Sequence, residues 1–295
     1  MKFITNTIHT FDKFQQRHGV LGFPLAVVKK YGSDQAGYQS ALLTYYGFWS
    51  LFPLLLVLTT VLQLLLRHES HLRERIITAA TTYFPTFGTQ LQNNIHLSGK
   101  TGLALVIGVL AALYGARGVA DAFRNSVNHI WHIPLTERSG FVGSIGRSLG
   151  ILFFGGLGLI AAAIIAGFIT SAGHGIAFRL LAAALNLVVV FFTLLIMTHL
   201  ALARPVPKRA VWLSAAVAAI GLAILQSVGS LLLIRELKNF NNLYGTFAVV
   251  LGLLFWLYTE AQVLTWALET GTVYGRHLWP RPLFDPADTK PTKLA

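Results

Sequence analysis

Five polar side chains on one stretch of sequence have the spacing of an anion-binding strip. Tyr114, Arg117, Asp121, Arg124 and Asn128 follow at intervals of 3, 4, 3 and 4, which places all five on one stripe of a helix. Asp121 has a guanidinium one turn away on either side. Two chemistries fit this pattern. The strip is either a basic, hydrogen-bonding surface for an anionic headgroup, or a self-neutralising ion pair that lets a helix end near a membrane surface.

A second constellation lies in NNLYGTFAVVLGLLFWLYTEAQVLTWALE, residues 241–269. Tyr258, Gln262, Thr265 and Glu269 are spaced 4, 3 and 4 and form one polar stripe. Gly245, Ala248, Gly252 and Thr259 form a face of small residues suited to close helix contact. Glu260 and Glu269 are nine residues apart, about half a turn out of phase at ~100° per residue, so they cannot act as a carboxylate dyad on this helix. Glu260 borders the small-residue face. It is either a hydrogen-bonded, neutral acid covered by another helix or a proton-coupling group. Asn186, His199, Gln226 and Ser227 are further polar residues in apolar runs, of the kind that commonly joins helices.

Several other chemistries lack their residues. The chain has no cysteine, which removes thiolate catalysis and cysteine metal sites. SGKT at 98–101 imitates the end of a phosphate-binding loop, but Asn94 stands where that loop needs glycine. The run Gly155-Gly156-Leu157-Gly158 lies in an apolar stretch with no strand before it, so it is a packing surface rather than a dinucleotide fingerprint. His68–His71 and His129–His132 are pairs without accompanying carboxylate clusters. No metal site, cofactor, or catalytic nucleophile–base pair is expected.

The elements that must carry these groups are membrane helices. Of 295 residues, 54% are hydrophobic and 12% charged, against about 25% charged in soluble domains, and the mean hydropathy is +0.61. The apolar runs are continuous and do not alternate with period two, which selects helices over a barrel. An all-α integral membrane protein is expected, a bundle of six transmembrane helices with an N-terminal juxtamembrane amphipathic helix. Residues 1–39 are the cytoplasmic juxtamembrane segment, 40–270 the transmembrane domain and 271–295 a cytoplasmic tail. The spans are expected at about 40–66, 101–122, 145–170, 176–203, 210–234 and 244–268. Pro53 should bend the first. SAGHG, residues 171–175, should close the third and fourth into an antiparallel hairpin. Residues 67–100 form the one sizeable polar loop. No internal repeat supports an inverted-repeat transporter. An acid inside a span costs roughly 2.5–3.5 kcal/mol on insertion scales, so the last span should turn its polar stripe inward.

The net charge is +12. The basic residues are scattered and not interleaved with stacking aromatics, so loop charges that orient helices and touch anionic lipids explain them better than nucleic acid does. With both termini cytoplasmic, 16 Lys and Arg fall inside and 7 outside, and the positive-inside rule favours that orientation. Membrane lipids of negative charge are the expected partners. Oligomeric state is left open, homo-oligomers included.

Three segments together resemble the YihY/BrkB family of bacterial inner-membrane proteins, formerly labelled ribonuclease BN. ALLTYYGFWSLFPLLLVL resembles the family's AxxAYYxxxSLFPLLL segment. YGARGVADAFRNSVNHIW resembles its Arg-Gly segment with the Asn and aromatic that follow. Residues 241–269 resemble its closing segment. The matching positions are Tyr45, Tyr46, Ser50, Phe52, Pro53, Arg117, Gly118, Asn128, Tyr244, Gly245, Trp256, Tyr258, Gln262 and Glu269. Glu260 stands where the family usually has a small residue, which shifts weight to Glu269 as the family's carboxylate. The resemblance implies a six-span, non-enzymatic inner-membrane protein linked to serum resistance and virulence and to movement of envelope lipid or lipopolysaccharide. On this reading Arg117, Asp121, Arg124, Asn128, Tyr258, Gln262 and Glu269 are candidate headgroup or substrate ligands, and Glu260 is a candidate proton-coupling residue. The alternatives are a proton-coupled ion or small-solute transporter and, less favoured, a tRNA-processing ribonuclease, which needs clustered metal ligands that the sequence lacks.

Overall fold

The computed structural model describes residues 19–65, 103–138, 140–170, 175–244 and 246–280. Among these there are seven α-helices and no strand: α1 (Gly19–Ser33), α2 (Ala36–Leu65), α3 (Leu103–Ile130), α4 (Phe141–Thr170), α5 (Ile176–Ala201), α6 (Lys208–Tyr244) and α7 (Thr246–Gly275). A short 3-10 turn, Leu135–Glu137, lies between α3 and α4. Residues 1–18, all of the 67–100 loop with its His68–His71 pair and SGKT, residues 171–174 of the expected turn, Gly245 of the small-residue face, and the tail beyond 280 lie outside the described residues.

Successive helices run up and down, and the register of their contacts shows it. Along α2 and α3, Gln39 meets Ser126 at 3.1 Å, while Tyr46 lies against Gly118 and Ser50 against Gly115. Along α4 and α5, Gly150, Gly155 and Gly158 face Leu200, Met197 and Thr193 in turn. Along α6 and α7, Ser214, Gly221 and Gly229 face Gly271, Val263 and Trp256. Each pairing descends in one number as it rises in the other, so each pair is antiparallel.

Small residues make these approaches close. A Cβ on Gly118 would sit 2.7 Å from the Tyr46 ring, and one on Gly271 would strike Ser214. Alanine dominates the buried set, including Ala120, Ala210, Ala215, Ala219 and Ala267. Lipid tails are as apolar as leucine, so membrane helices gain by packing backbones closely on small side chains. Many large apolar residues point outward: Leu149, Phe153, Ile160, Leu181, Leu185 and Ile224 are exposed. In water such a belt would drive association.

Four described helices contain stretches long and apolar enough to cross a membrane, Val142–Ala166, Ile176–Ala201, Lys208–Gly229 and Val250–Gly275. They correspond to the third to sixth expected spans. The first two expected spans fall on α2 and α3, which are helical but are not among these four. Both extend beyond the expected apolar limits, α2 from residue 36 and α3 to residue 130. A helix does not stop where hydrocarbon stops: polar residues with helical spacing continue it until a capping geometry intervenes. Here α3 ends in a Schellman turn, with Ile133 N–H bonded to the Asn128 carbonyl at 2.8 Å and His132 N–H to that of His129 at 2.8 Å. The expected bend at Pro53 falls within the continuous helical run of α2.

The helix α1 docks on the bundle. Ala26 and Val27 pack with Val273 of α7, bordered by Phe23, Trp266 and Trp279, and the Tyr31 ring stacks on Trp266 at 3.9 Å. Lys30, on the same docked side of α1, is thereby carried into the interior.

Candidate functional site

Two charged clusters occupy the same end of the bundle, where the C-terminal ends of α3, α5 and α7 meet the N-terminal ends of α2, α4 and α6. The first grows from the predicted strip on α3. Tyr114 is exposed. Arg117 Nε lies 3.5 Å from Asp121 Oδ2, and both side chains are part-exposed, 42% and 35%. Arg124 is turned inward and its Nη1 donates to Asp121 Oδ1 at 3.0 Å. It also donates to the Ser144 hydroxyl at 2.5 Å and to Ser148 Oγ at 2.9 Å, both on α4. The Ser148 hydroxyl donates to Asp121 Oδ1 at 2.6 Å. Three side chains therefore converge on one half-open carboxylate. The buried Arg124 Nε has no partner.

Asn128, the last member of the strip, has a different setting. It is buried, and its amide donates to the carbonyls of Arg124 at 2.7 Å and Ala201 at 2.8 Å while its oxygen accepts from Ala203 N–H at 2.8 Å. Arg147 donates to the neighbouring Leu202 carbonyl at 2.9 Å. Asn128 and Arg147 thus satisfy the backbone groups left open where α5 ends. In this arrangement Asn128 is enclosed rather than presented to a ligand.

The second cluster surrounds Lys30, whose ammonium has three donors and uses each. It contacts Asp34 in the α1–α2 turn, Glu269 Oε2 on α7 at 2.7 Å, and the Ile130 carbonyl at the end of α3 at 2.9 Å. Lys30, Asp34 and Glu269 are sealed, with side chains 1%, 4% and 0% exposed. His132 Nε2 lies 3.3 Å from Asp34 Oδ2 and is itself 52% exposed. His129 Nε2 lies 3.1 Å from the Asp34 carbonyl. Burial pushes the Asp34 carboxyl up, but hydrogen bonds from His132 and Lys30, with their charges, outweigh it and hold it at about 2. One oxygen of Glu269, Oε1, is buried with no hydrogen-bond partner.

The α7 stripe leads away from this cluster. Thr265 is buried and its hydroxyl meets Ser40 of α2 at 2.8 Å. Gln262 and Tyr258 are half-buried, and the Tyr258 hydroxyl lies beside Gly37, as does that of Tyr31. Glu269, read from sequence as a candidate ligand, is enclosed on Lys30. Glu260 accepts from Trp256 Nε1 at 2.9 Å, one turn back on its own helix. The structure therefore brings Arg117, Asp121 and Arg124 together, and separately joins Glu269 to Lys30. Of the other polar residues in apolar runs, Asn186 and Gln226 are half-buried, His199 is exposed, and Ser227 is exposed with its hydroxyl bonded to the Ala223 carbonyl.

Sequence reasoning missed Ser144, Ser148, Lys30, Asp34 and His132 as members of these clusters. Two signals were present: the i, i+4 spacing of Ser144–Ser148 and of Lys30–Asp34 puts each pair on one helical face. Among the described residues no group of three His, Asp or Glu could hold a metal ion. His129 and His132 both address Asp34 instead.

Comparison with curated proteins and with solved structures finds no match. The family model described as virulence factor BrkB matches residues 27–278. That match runs from the residue before Val28 on α1, through both charged clusters, to the turn after α7. The chain belongs to the virulence factor BrkB (YihY/BrkB) family.

Proposed function

We propose that this protein is a six-span protein of the bacterial inner membrane, with both termini cytoplasmic, that binds and moves anionic lipid or lipid-linked envelope precursors without chemical conversion. The observation that carries the reading is the half-open carboxylate of Asp121, on which Arg117, Arg124 and Ser148 converge. An aspartate held this way occupies the position a phosphate oxygen would take. A phosphate approaching from the exposed side can take over Arg117, because an exposed ion pair is worth only about 0–1 kcal/mol and is easily exchanged, and guanidinium suits phosphate geometry. Arg124 keeps Asp121 in place meanwhile.

The surroundings support the same reading. Arg138, Arg147, Arg204 and Arg276 belong to this end of the bundle through their contacts with Ile133, Leu202, Glu137 and Trp131. A basic end belongs on the cytoplasmic side by the positive-inside rule, where it faces anionic headgroups. The test is reconstitution of the full chain into liposomes with a labelled anionic phospholipid. The expected result is faster transbilayer movement than in empty liposomes, reduced about tenfold or more in Arg117→Ala. Movement equal to that of empty liposomes refutes the activity, and an unaffected Arg117→Ala variant refutes the site.

A second reading, a proton-coupled transporter of an ion or small solute working through Glu260, is favoured by the presence of that acid inside the α7 span with a tryptophan N–H as its donor. It requires a pH-dependent flux that Glu260→Gln abolishes.

A further inference from the structure

The Lys30 cluster has a composition that lipid binding does not use. It is a line of ionisable groups beginning at a part-exposed imidazole and ending at a sealed carboxylate. His132 Nε2 is 3.3 Å from Asp34 Oδ2, Asp34 contacts Lys30 Nζ, and Lys30 Nζ is 2.7 Å from Glu269 Oε2. Every link is within reach of a proton transfer or of a small adjustment to it.

Three further features distinguish this line from a plain structural clamp. Glu269 Oε1 is buried and has no donor, so half of the anion lacks the hydrogen bonds that a buried carboxylate needs. His132 adopts φ 50 at the C′ position of α3, where glycine or asparagine is the ordinary choice. A histidine is held there against that preference, and its ring is directed to Asp34. Glu269 also stands at the basic end of the stripe through Thr265, Gln262 and Tyr258 that runs along α7 toward the middle of the span.

We propose that Glu269 is a proton-loading site of this protein, filled from the basic end through His132, Asp34 and Lys30. The transfer balances as follows. Imidazolium His132 gives a proton to Asp34 Oδ2. Lys30 Nζ gives one of its protons to Glu269 Oε2 and is refilled from Asp34. His132 ends one proton poorer and Glu269 one richer, while Lys30 and Asp34 return to their starting charges. Asp34 is a firm carboxylate at rest, so it carries the proton only in transit.

Among the described residues, the groups facing the line are few. From α1 it is Lys30, from the following turn Asp34, from the end of α3 His129 and His132, and from α7 Glu269 and Arg276, which is bonded to the Trp131 carbonyl. Beside Glu269 on α7, Ser40 of α2 meets Thr265 and Ala210 and Ser214 of α6 meet Gly271, and none of these titrates. Protonation of Glu269 would loosen its hold on Lys30 and so on α1. This links the proton to the docking of α1 and of the α3 end on α7.

The experiment reads the carboxyl itself and is independent of lipid movement. Full-length protein in lipid nanodiscs is examined by infrared difference spectroscopy during pH titration and after a pH jump. A protonated-carboxyl C=O band should appear as pH falls and should be absent in Glu269→Gln. If that variant does not fold, Glu269→Asp should move the band. Lys30→Arg keeps the positive charge but cannot release a proton, and His132→Asn suits the left-handed backbone but cannot relay one. Both should leave the band at equilibrium and slow its appearance roughly a hundredfold, the lower end of what a positioned proton donor contributes. A carboxyl band unchanged by both Glu269 substitutions overturns the loading site. Unaltered kinetics in both Lys30→Arg and His132→Asn overturns the route.

Discussion

Replacing Lys30 with methionine isolates what the buried ammonium does. Methionine retains a long, unbranched stem, so packing against Ile130 and α7 changes little. The perturbation is the loss of the charge and of its hydrogen bonds. Lys30 contacts two carboxylates, Asp34 and Glu269, whose side chains are 4% and 0% exposed. Without it, two anions face each other away from water. Removing one partner of a buried ion pair costs about 3–5 kcal/mol, and the lost bond to the Ile130 carbonyl adds about 1. Glu269 can relieve part of this by taking up a proton, so we expect a loss of about 3–5 kcal/mol at neutral pH and less in acid. The assay is reversible unfolding in mixed micelles, comparing wild type, Lys30→Met, and a triple variant that adds Asp34→Asn and Glu269→Gln. The triple variant has no charge left to bury and should recover most of the loss, because a buried ionic group can be exchanged for neutral residues at little net change. A second arm follows from Asp34, held at about 2 against 3.8 for a solvated aspartate. A depressed carboxyl contributes stability above the unfolded value and loses it as pH falls through the folded one, so about 2 kcal/mol should disappear between pH 3.8 and about 2. In Lys30→Met the acid loss should shrink, since only His132 still holds the carboxyl down. A Lys30→Met cost below about 1 kcal/mol, or a triple variant no more stable than the single, would refute the account of this cluster as a sealed, mutually dependent set.

Three further outcomes are expected from the same preparations. Asn128→Ala leaves the Arg124 and Ala201 carbonyls and the Ala203 N–H short of partners and should cost about 2–4 kcal/mol in unfolding, with little change in lipid-headgroup affinity of the folded fraction. Gly118→Ala pushes a methyl to 2.7 Å from the Tyr46 ring, and separation of α2 from α3 should cost about 1–3 kcal/mol in the same measurement. Glu260→Gln keeps an oxygen to accept from Trp256, so stability should stay within about 1 kcal/mol and lipid movement should be unaltered. A pH-dependent flux lost in that variant would transfer the function to Glu260.

Helical class, the places of the four long apolar helices and the strip on α3 were legible in the sequence because each rests on a local period. Hydropathy over about 20 residues marks a span, and intervals of 3 and 4 mark a face. What the period cannot give is the cover over each turn of that face. Tyr114 and Asn128 are on one stripe of α3, yet the first is 83% exposed and the second 2%; α4 and α5 close over the later turns. The Lys30–Glu269 pair spans 239 positions. Nothing local joins them: Lys30 lies in a short segment that reads as interfacial, and only the docking of α1 through Ala26 and Val27 carries it inside. A physical cue was nonetheless available. An acid at the end of an apolar span needs a partner, and Lys30 offers a cation whose own i+4 neighbour, Asp34, marks the buried side of its helix.

The contrast between the two clusters bears on what each can do. Asp121 and Glu269 are both carboxylates held by a basic residue, but Asp121 is part-exposed and Glu269 is sealed. At the first, water reaches Arg117 and Asp121, so exchange is cheap and an anionic headgroup, on the proposed reading, would bind reversibly. At the second, any exchange of partners must expose a buried charge, so the group that can move without that penalty is a proton, which neutralises one carboxylate instead of leaving it bare. The two sites are connected through α3: Arg124 and Asp121 lie on its inner turns, and its last carbonyl, of Ile130, with His132 just beyond its end, completes the Lys30 set. A headgroup drawing Arg117 away would leave Asp121 bonded to Arg124 and Ser148 and keep α3 seated on α4. Protonation of Glu269 acts on the other end of the same helix. Coupling between lipid and proton would therefore run along α3, and a measured shift of the Glu269 carboxyl band on adding anionic lipid, absent in Arg117→Ala, is the observation that coupling requires.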